Sequence, residues 1–504
     1  MVHGGLSSVV KGGLLPASSR QGTPMGDLPA FHASRDPKRA VITMNEVSVS
    51  REDFSARVNR RARLLQAHGV TEGDFVTMGL ANGFEIYETA FAIWKLGATP
   101  NVVSHRLPAP EISAIIDLLR PKLVIGFDPA LTQGAAAIPA ATSAENYSAE
   151  PLPTRVSTYW KAMTSGGSTG RPKIIVDHMP SVWDPNLTAY GQIVDDVALN
   201  PGPMYHNAPF SLIHLGVFAG AHVVEMGKFD AHHALELIEK HRIQWVNFVP
   251  TMMNRIWRLP DRAQFDVSSL RVMFHMASAC PVWLKQNFID WLGPERVWEL
   301  YAGTERQGGT IISGAEWLAH KGSVGRLQPG SSMRIVNEAG AQCAPGEVGE
   351  IYFLPDGGRN STYHYLGAEP RAKGEWESLG DLGYLDDEGY LYIVDRRTDM
   401  IVSGGANIYP AEIEAVLDAH PAVQSSIVIG LPHEDLGHAA HAIIQPAHGK
   451  DALDVEELKG FLADRIAKYK IPRSFEFVTE PLRDDAGKAR RSGLRQERLE
   501  KLKG

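Results

Sequence analysis

Met163-Thr-Ser-Gly-Gly-Ser-Thr-Gly-Arg-Pro-Lys173 is the stretch on which the reading of this chain turns. Gly166, Gly167 and Gly170 let the backbone approach a ligand closely and adopt positive φ. Successive backbone N–H groups in such a loop form a nest for anionic oxygens. Thr164, Ser165, Ser168 and Thr169 add hydroxyl donors, and Lys173 adds a compact cation. Every element suits the phosphates of a nucleotide. The stretch differs from the nucleoside-triphosphatase loop G-x-x-x-x-G-K-[ST], because no Lys-Ser/Thr pair follows its last glycine. A flexible Ser/Gly surface loop is the plain alternative.

Four further segments fall into line downstream: Tyr301-Ala-Gly-Thr-Glu305, Ser378-Leu-Gly-Asp381, Asp395-Arg-Arg-Thr-Asp399 running on to Ser403-Gly-Gly-Ala-Asn-Ile-Tyr-Pro-Ala-Glu-Ile-Glu414, and Gly487-Lys488. Together with the first loop they resemble, in the same order, the motifs of the adenylate-forming superfamily. That superfamily comprises acyl-CoA synthetases, adenylation domains of peptide synthetases, and luciferases. The likeness covers nearly the whole chain. It implies an α/β fold: a large N-terminal domain of helix-covered, mostly parallel sheets with a small β subdomain, and a small mobile α+β C-terminal domain. It also implies ATP, Mg²⁺ and coenzyme A as cofactors.

The bulk properties agree. At 504 residues the chain is too long for one core. Hydrophobic content of 44% and charged content of 21% describe a soluble globular protein. A net charge of −8 argues against nucleic-acid binding. Cys280 and Cys343 make no disulfide framework and fit a reducing, cytoplasmic setting. No apolar run is long enough for an integral membrane segment. Residues 1–26 are rich in Gly, Ser and Pro, lack the apolar core of a signal peptide, and read as a loose arm. Expected partners are a small-molecule carboxylic acid and CoA, and a homodimer is compatible with all of this.

Residues 27–395 read as the adenylation domain, 396–399 as a hinge and 400–504 as the C-terminal domain. Helical spacing over Phe54–His68 and Phe84–Leu96 alternates with strand-like Phe75–Leu80, Ala98–Val103 and Leu123–Gly126. A second cycle places a helix from Ala231, preceded by an Asp230 cap, before a strand at Trp245–Val249. Gly349–Leu354 and Tyr390–Val394 suggest a more antiparallel unit. Pro410 starts a helix with Ile413, Val416 and Leu417 on its apolar face.

Acyl-adenylate formation brings two anions together, so the site must neutralise charge spread over phosphate oxygens. Lys488, flanked by Ala and Gly, suits a bridge between carboxylate and α-phosphate, and the resemblance puts it at the adenylation lysine. The family pattern is Pro-x-x-x-Ser/Thr-Gly-Lys; here Ala486 takes the hydroxyl position and one residue is added after Pro481. Glu305 is the expected Mg²⁺ ligand, with Thr304 donating to the α-phosphate. Asp381 is expected to accept from both ribose hydroxyls, with Arg396 alongside. Tyr301 offers a ring to adenine, and Ala302, Gly303, Ile393 and the small residues Ala277, Ser278 and Ala279 complete the nucleotide set.

His206, in Tyr205-His-Asn-Ala-Pro-Phe210, is expected at the acyl mouth, with Phe210, Val249, Met276 and Gly303 lining the acyl pocket. No aspartate pairs with an amino group in this region, which disfavours an α-amino acid and favours a hydrophobic acid. Cys280 reads as a small pocket residue rather than a nucleophile. Residues 483–504 carry eight Lys/Arg against four Asp/Glu, a solvated tail or an attractor for CoA phosphates. The resemblance implies that the C-terminal domain rotates after adenylation, so that the loop of Ser403, Gly404 and Gly405 replaces the lysine loop. Its hinge position holds Thr398 where the family usually has Asp or Lys. The implied activity is an ATP-dependent acid–CoA ligase, closest to fatty-acid and bile-acid or steroid-acid ligases, in fatty-acid and lipid metabolism. The rivals are an adenylating enzyme that passes the acyl group to an amine or carrier protein, and a nucleotide-binding regulator with the same fold.

Overall fold

A computed structural model describes residues 22–166, 172–404, 406–447, 453–485 and 487–502. Two large sheets dominate. One has nine strands, its centre formed by the parallel strands Val297–Ala302, Val272–His275, Trp245–Phe248, Val197–Asn200 and His222–Glu225. The other has seven, with Leu123–Ile125, Phe75–Met78, Thr99–Val102 and Ala162–Gly166 parallel at its centre. Both extend outward through antiparallel edges such as Pro172–Asp177. The central strands read as apolar runs because both faces are covered by helices.

The helices Arg51–Ala67, Phe84–Lys95 and Asn207–Phe218 contribute to the core between the two sheets. Trp94, Trp160, Phe91, Phe210 and Phe218 pack there edge to face and offset, the geometry aromatic quadrupoles favour. Asn207–Phe218 is apolar on nearly all sides, as a helix enclosed by protein must be. Asp230 caps the helix Ala231–His241 by accepting from the His233 N–H, as the sequence implied.

A six-stranded antiparallel sheet follows, including Gly349–Pro355, Asp381–Leu385 and Leu391–Arg396. The turn at Asp386–Gly389 joins Asp381–Leu385 to Leu391–Arg396, so Asp381 opens a strand. From Ile401 the chain builds its own five-stranded sheet and core, with Ile413 and Leu417 buried in it. The two-domain α/β architecture inferred from sequence is the observed one.

One expectation is corrected. Residues 22–26 are not part of a loose arm: Thr23–Pro24 pairs with Val182–Trp183, and Met25 is fully buried. A Cβ on Gly26 would sit 2.4 Å from the Lys95 backbone, so only glycine allows this close packing. Residues 1–21 lie outside the described residues.

Candidate active site

A cleft runs between the strand ends of the N-terminal sheets and the C-terminal domain. One wall starts with the hairpin Ala162–Gly166 and Pro172–Asp177, which sets Lys173 opposite Ser165. Thr164 takes a 3.1 Å hydrogen bond from Asn101 and lines the cleft. Gly167, Ser168, Thr169 and Gly170, the tip of the loop, lie outside the described residues. Lys173 Nζ lies 3.2 Å from Glu305 Oε1 and donates to the Tyr365 hydroxyl at 3.0 Å. Tyr365 in turn donates to Glu305 at 2.5 Å. Burial and the Glu305 carboxylate push the Tyr365 phenol up, so it stays a donor. Tyr365 reaches the site because Tyr363–Leu366 pairs along Pro172–Asp177.

Glu305 is buried at 5% exposure, and its second oxygen, Oε2, faces Gly303, where a Cβ would come within 2.9 Å of it. Among the described residues no group of three or more His, Cys, Asp or Glu could hold a metal. A carboxylate standing apart from other metal-ligating side chains, as Glu305 does beside Lys173, fits Mg²⁺, which takes one or two carboxylates and completes its shell with phosphate oxygens and water. Glu305 would hold it there, and the ion would supply charge neutralisation at the phosphates.

Further along the cleft, Asp381 and Arg396 are register partners on adjacent strands. Arg396 Nε donates to Asp381 Oδ1 at 3.2 Å, and the Tyr301 hydroxyl donates to Oδ2 at 2.7 Å. Tyr301 therefore orients the carboxylate through its hydroxyl. Ala277, Ser278, Ala279, Ala302, Thr304 and Ile393 also line the cleft. Ala277 adopts φ +77, a strained value for a residue with a Cβ, at the turn leaving the strand Val272–His275.

On the acyl side, His206 is the N-cap of Asn207–Phe218, with extended backbone and no capping bond from its ring. The ring thus remains on the cleft, with Nε2 unpartnered and 3.8 Å from Asp484 Oδ2. Burial, then the Lys488 charge, hold its pKa at about 3, so it is a neutral imidazole. Val249, Met276 and Gly303 line the cleft. Phe210 does not: it is fully buried in the aromatic core, its ring centroid 4.3 Å from that of His214. Successive helical residues turn by about 100°, so Ser211, Leu212 and Leu215 face the cleft instead. Cys280 is a free thiol whose pKa burial pushes up, consistent with a pocket residue and not a nucleophile.

The opposite wall is the Lys488 loop. Asp484 closes it as a tight turn: its N–H donates to the Lys488 carbonyl, and its carboxylate and carbonyl accept from the Lys488 and Gly487 N–H groups, each at 2.9 Å. Gly487 has φ +75, and a Cβ there would lie 2.9 Å from Thr251 Oγ1. Only glycine lets the turn seat against Val249 and Thr251. Lys488 lines the cleft among site charges: desolvation lowers its pKa, Asp484 and Glu305 oppose this, and Arg396 and Lys173 reinforce it. The loop's root is tied by Arg483 to Glu414 at 3.2 Å and by Arg491 to Glu414 at 2.6 Å.

Thr398 lines the cleft and bonds only weakly to Asp399 at 3.4 Å. The neighbouring Asp395 accepts from the Arg396 and Ala411 N–H groups, joining the last strand of the β subdomain to the helix Pro410–Leu417. Ser403 and Gly404 lie outside the cleft lining, with the Gly404 N–H donating to Leu436 O at 2.9 Å; Gly405 is outside the described residues. Much of the basic charge of the last helix is spent internally, as in Arg498–Glu476 at 2.8 Å. Sequence reasoning missed Tyr365, and also Lys161, Asp177, Tyr190, Asn207, Asn247 and Arg306. Only Arg306 and Asn207 carried a signal, through their places beside Glu305 and His206.

Comparison with known proteins agrees with this geometry. The family model described as AMP-binding enzyme matches residues 30–357, and that of the AMP-binding enzyme C-terminal domain matches 412–488. The chain is 31% identical over 490 residues to a feruloyl-CoA synthase of Amycolatopsis sp, covering 94% of this chain and 98% of that one. It is 29% identical to a long-chain-fatty-acid–CoA ligase of Mycobacterium tuberculosis, covering 90% and 93%. The solved o-succinylbenzoate CoA synthetase of Bacillus subtilis, in complex with its acyl-adenylate intermediate, superposes with a TM-score of 0.79 at 26% identity, covering 93% and 97%. The chain belongs to the AMP-binding enzyme family.

Proposed function

We propose that this protein is an ATP-dependent acid–CoA ligase acting on a hydrophobic carboxylic acid. Its first step joins the acid to the α-phosphate and releases pyrophosphate; in the second the CoA thiol displaces AMP to give the thioester. The observation that carries this reading is the position of Lys488, which lines the same cleft as Glu305, Lys173 and Arg396. Four charged groups from distant parts of the chain converge where a carboxylate and an α-phosphate must be held together.

In this reading Lys488 neutralises the attacking carboxylate and the α-phosphate. Lys173 and Tyr365 hold the Glu305 carboxylate towards the phosphates, and Thr304 donates to the α-phosphate. Asp381, oriented by Tyr301 and Arg396, accepts from the ribose. His206, a neutral imidazole, stands at the mouth of the acyl chamber. Residues 396–399 form the hinge between an adenylation domain over 27–395 and a C-terminal domain over 400–504. Rotation there withdraws the lysine turn and brings in the Gly404 loop for the thioester step. Relatives named for ferulate and for long-chain fatty acids support aryl and fatty acids as substrate classes. Both cysteines are free, in keeping with a cytoplasmic setting.

The test is pyrophosphate release across fatty, aryl and steroid side-chain acids, with and without CoA, with products read by mass spectrometry. A CoA thioester from one class is the expected result. Pyrophosphate without thioester would move the acceptor to an amine or a carrier protein.

A further inference from the structure

We infer that the acyl chamber is built for an acid carrying a hydroxyl group remote from its reacting carboxylate, with Tyr190 and Asn247 as the residues that recognise it. The inference rests on the ligase reading above and goes beyond it by naming the substrate class.

The chamber's sheet wall follows from register. Asn247 pairs with Phe274, and Phe274 with Trp298, so the three share one face of the nine-stranded sheet; Leu300, two residues on, shares it too. Leu300 and Met276 line the cleft beside Leu212 and Leu215 of the facing helix, and these four side chains are apolar. A plain alkyl acid would need nothing more.

Two polar groups interrupt this wall. Asn247 lines the cleft, is 7% exposed, and its side-chain Oδ1 has no hydrogen-bond partner. A buried acceptor left unmade is costly and is rare in native proteins, so it points to a partner supplied from outside the chain. Tyr190 also lines the cleft, held by φ +52, by the Trp245 indole donating to its carbonyl at 2.9 Å, and by an edge contact to Phe274. Among the described residues its hydroxyl makes no hydrogen bond. Burial raises the phenol's pKa and the nearby Arg306 guanidinium opposes the rise, so the group is a neutral donor.

The surrounding charges are fixed. Asp177 binds Arg306 at 2.7 Å and Lys161 at 3.1 Å, and Lys161 binds Asn207 at 2.8 Å. These charged groups hold one another in place; on the chamber wall the Tyr190 hydroxyl and Asn247 Oδ1 make no hydrogen bond among the described residues, and His206 Nε2 at the mouth is likewise unpartnered. A hydroxyl accepts from Tyr190 and donates to Asn247 Oδ1. A ketone or ether only accepts, and so leaves Asn247 Oδ1 unmet.

The test compares matched acids with the full-length enzyme, ATP, Mg²⁺ and CoA: 4-hydroxycinnamate with cinnamate, 3-(4-hydroxyphenyl)propionate with 3-phenylpropionate, and 10-hydroxydecanoate with decanoate. The expected result is a kcat/KM preference of about tenfold or more for the hydroxylated member of the best pair. Asn247→Leu and Tyr190→Phe, each checked by thermal unfolding, should bring that ratio towards one. Equal or better use of the deoxy acid in every pair overturns the inference, as does an unchanged ratio in both variants. Thioester formation without hydroxyl discrimination sinks the inference alone. Pyrophosphate release from none of the acids sinks the ligase reading and the inference with it.

Discussion

The wall of the cleft that carries Lys173, Glu305 and Asp381 rises from paired strands, and these side chains have protein partners: Lys173 and Tyr365 on Glu305, Tyr301 and Arg396 on Asp381. The facing wall is the turn from Asp484 to Lys488, held by hydrogen bonds within itself and by further ones from Arg483 and Arg106. Beyond Gly487 packing on Thr251, its neighbourhood is tied across the cleft by half-exposed pairs such as Arg106–Asp485 at 3.3 Å and Arg490–Glu111 at 3.4 Å. Arg258 adds bonds to the Asp418, Pro421 and Val423 carbonyls. Exposed ion pairs contribute little to binding. Under the proposed reading, one wall is preorganised to hold a nucleotide, and the other delivers a charge and leaves. An enzyme that must remake its site between two steps needs that asymmetry.

The largest expected effect is on the delivered charge. Lys488→Ala should lower acid-dependent pyrophosphate release by about 100- to 1000-fold, the scale of one lost transition-state donor. Glu305→Gln strikes the fixed wall and should cost about 100-fold, with a raised Mg²⁺ requirement in the same assay. If Glu305→Gln instead matched wild type, the fixed wall would be scaffolding only. Gly487→Val leaves every charged group in place but strains φ +75 and crowds Thr251. We expect about a tenfold slower adenylation, with the thermal unfolding midpoint of the large domain unchanged.

His206 reports docking through pH. Its pKa of about 3 in the docked state lies below the ordinary imidazole value of about 6.5. As pH falls from about 6.5 towards 3, the undocked histidine takes up a proton that the docked one refuses, so docking weakens; above about pH 7 this group contributes no slope. Adenylation should fall with acid in that window, and His206→Asn should remove this part of the fall. In Gly487→Val, NMR titration should find the His206 pKa moved up towards its ordinary value. The smallest effect belongs to the exposed ties: Arg490→Ala and Arg106→Ala should each change the adenylation rate by less than about threefold, and less at high salt.

Much of the nucleotide wall was legible in the sequence because its motifs are contiguous: Tyr301 to Glu305 and Ser378 to Asp381 each arrive as one short segment whose residue types state their chemistry. The helix and strand cycle before residue 130 was legible for the same reason, since its periodicity is local. Non-local assembly was not. Tyr365 reaches Glu305 only because its strand pairs with Pro172–Asp177, and no spacing announces that. Phe210 looked like a pocket residue because its neighbours are; one helical step decides between cleft and core. Tyr190 and Asn247 come to the acyl chamber from separate segments, and what sets Asn247 apart, an unmet acceptor, exists only in the folded chain.

The most direct test follows both half-reactions in Lys488→Ala. Acyl-AMP formation is read by ATP–pyrophosphate exchange, and thioester formation is started from synthetic acyl-AMP plus CoA. A turn that delivers its charge for one step and then withdraws requires the first to fall by at least about 100-fold while the second stays within about threefold of wild type. Equal losses in both half-reactions, or an undiminished exchange, would contradict it.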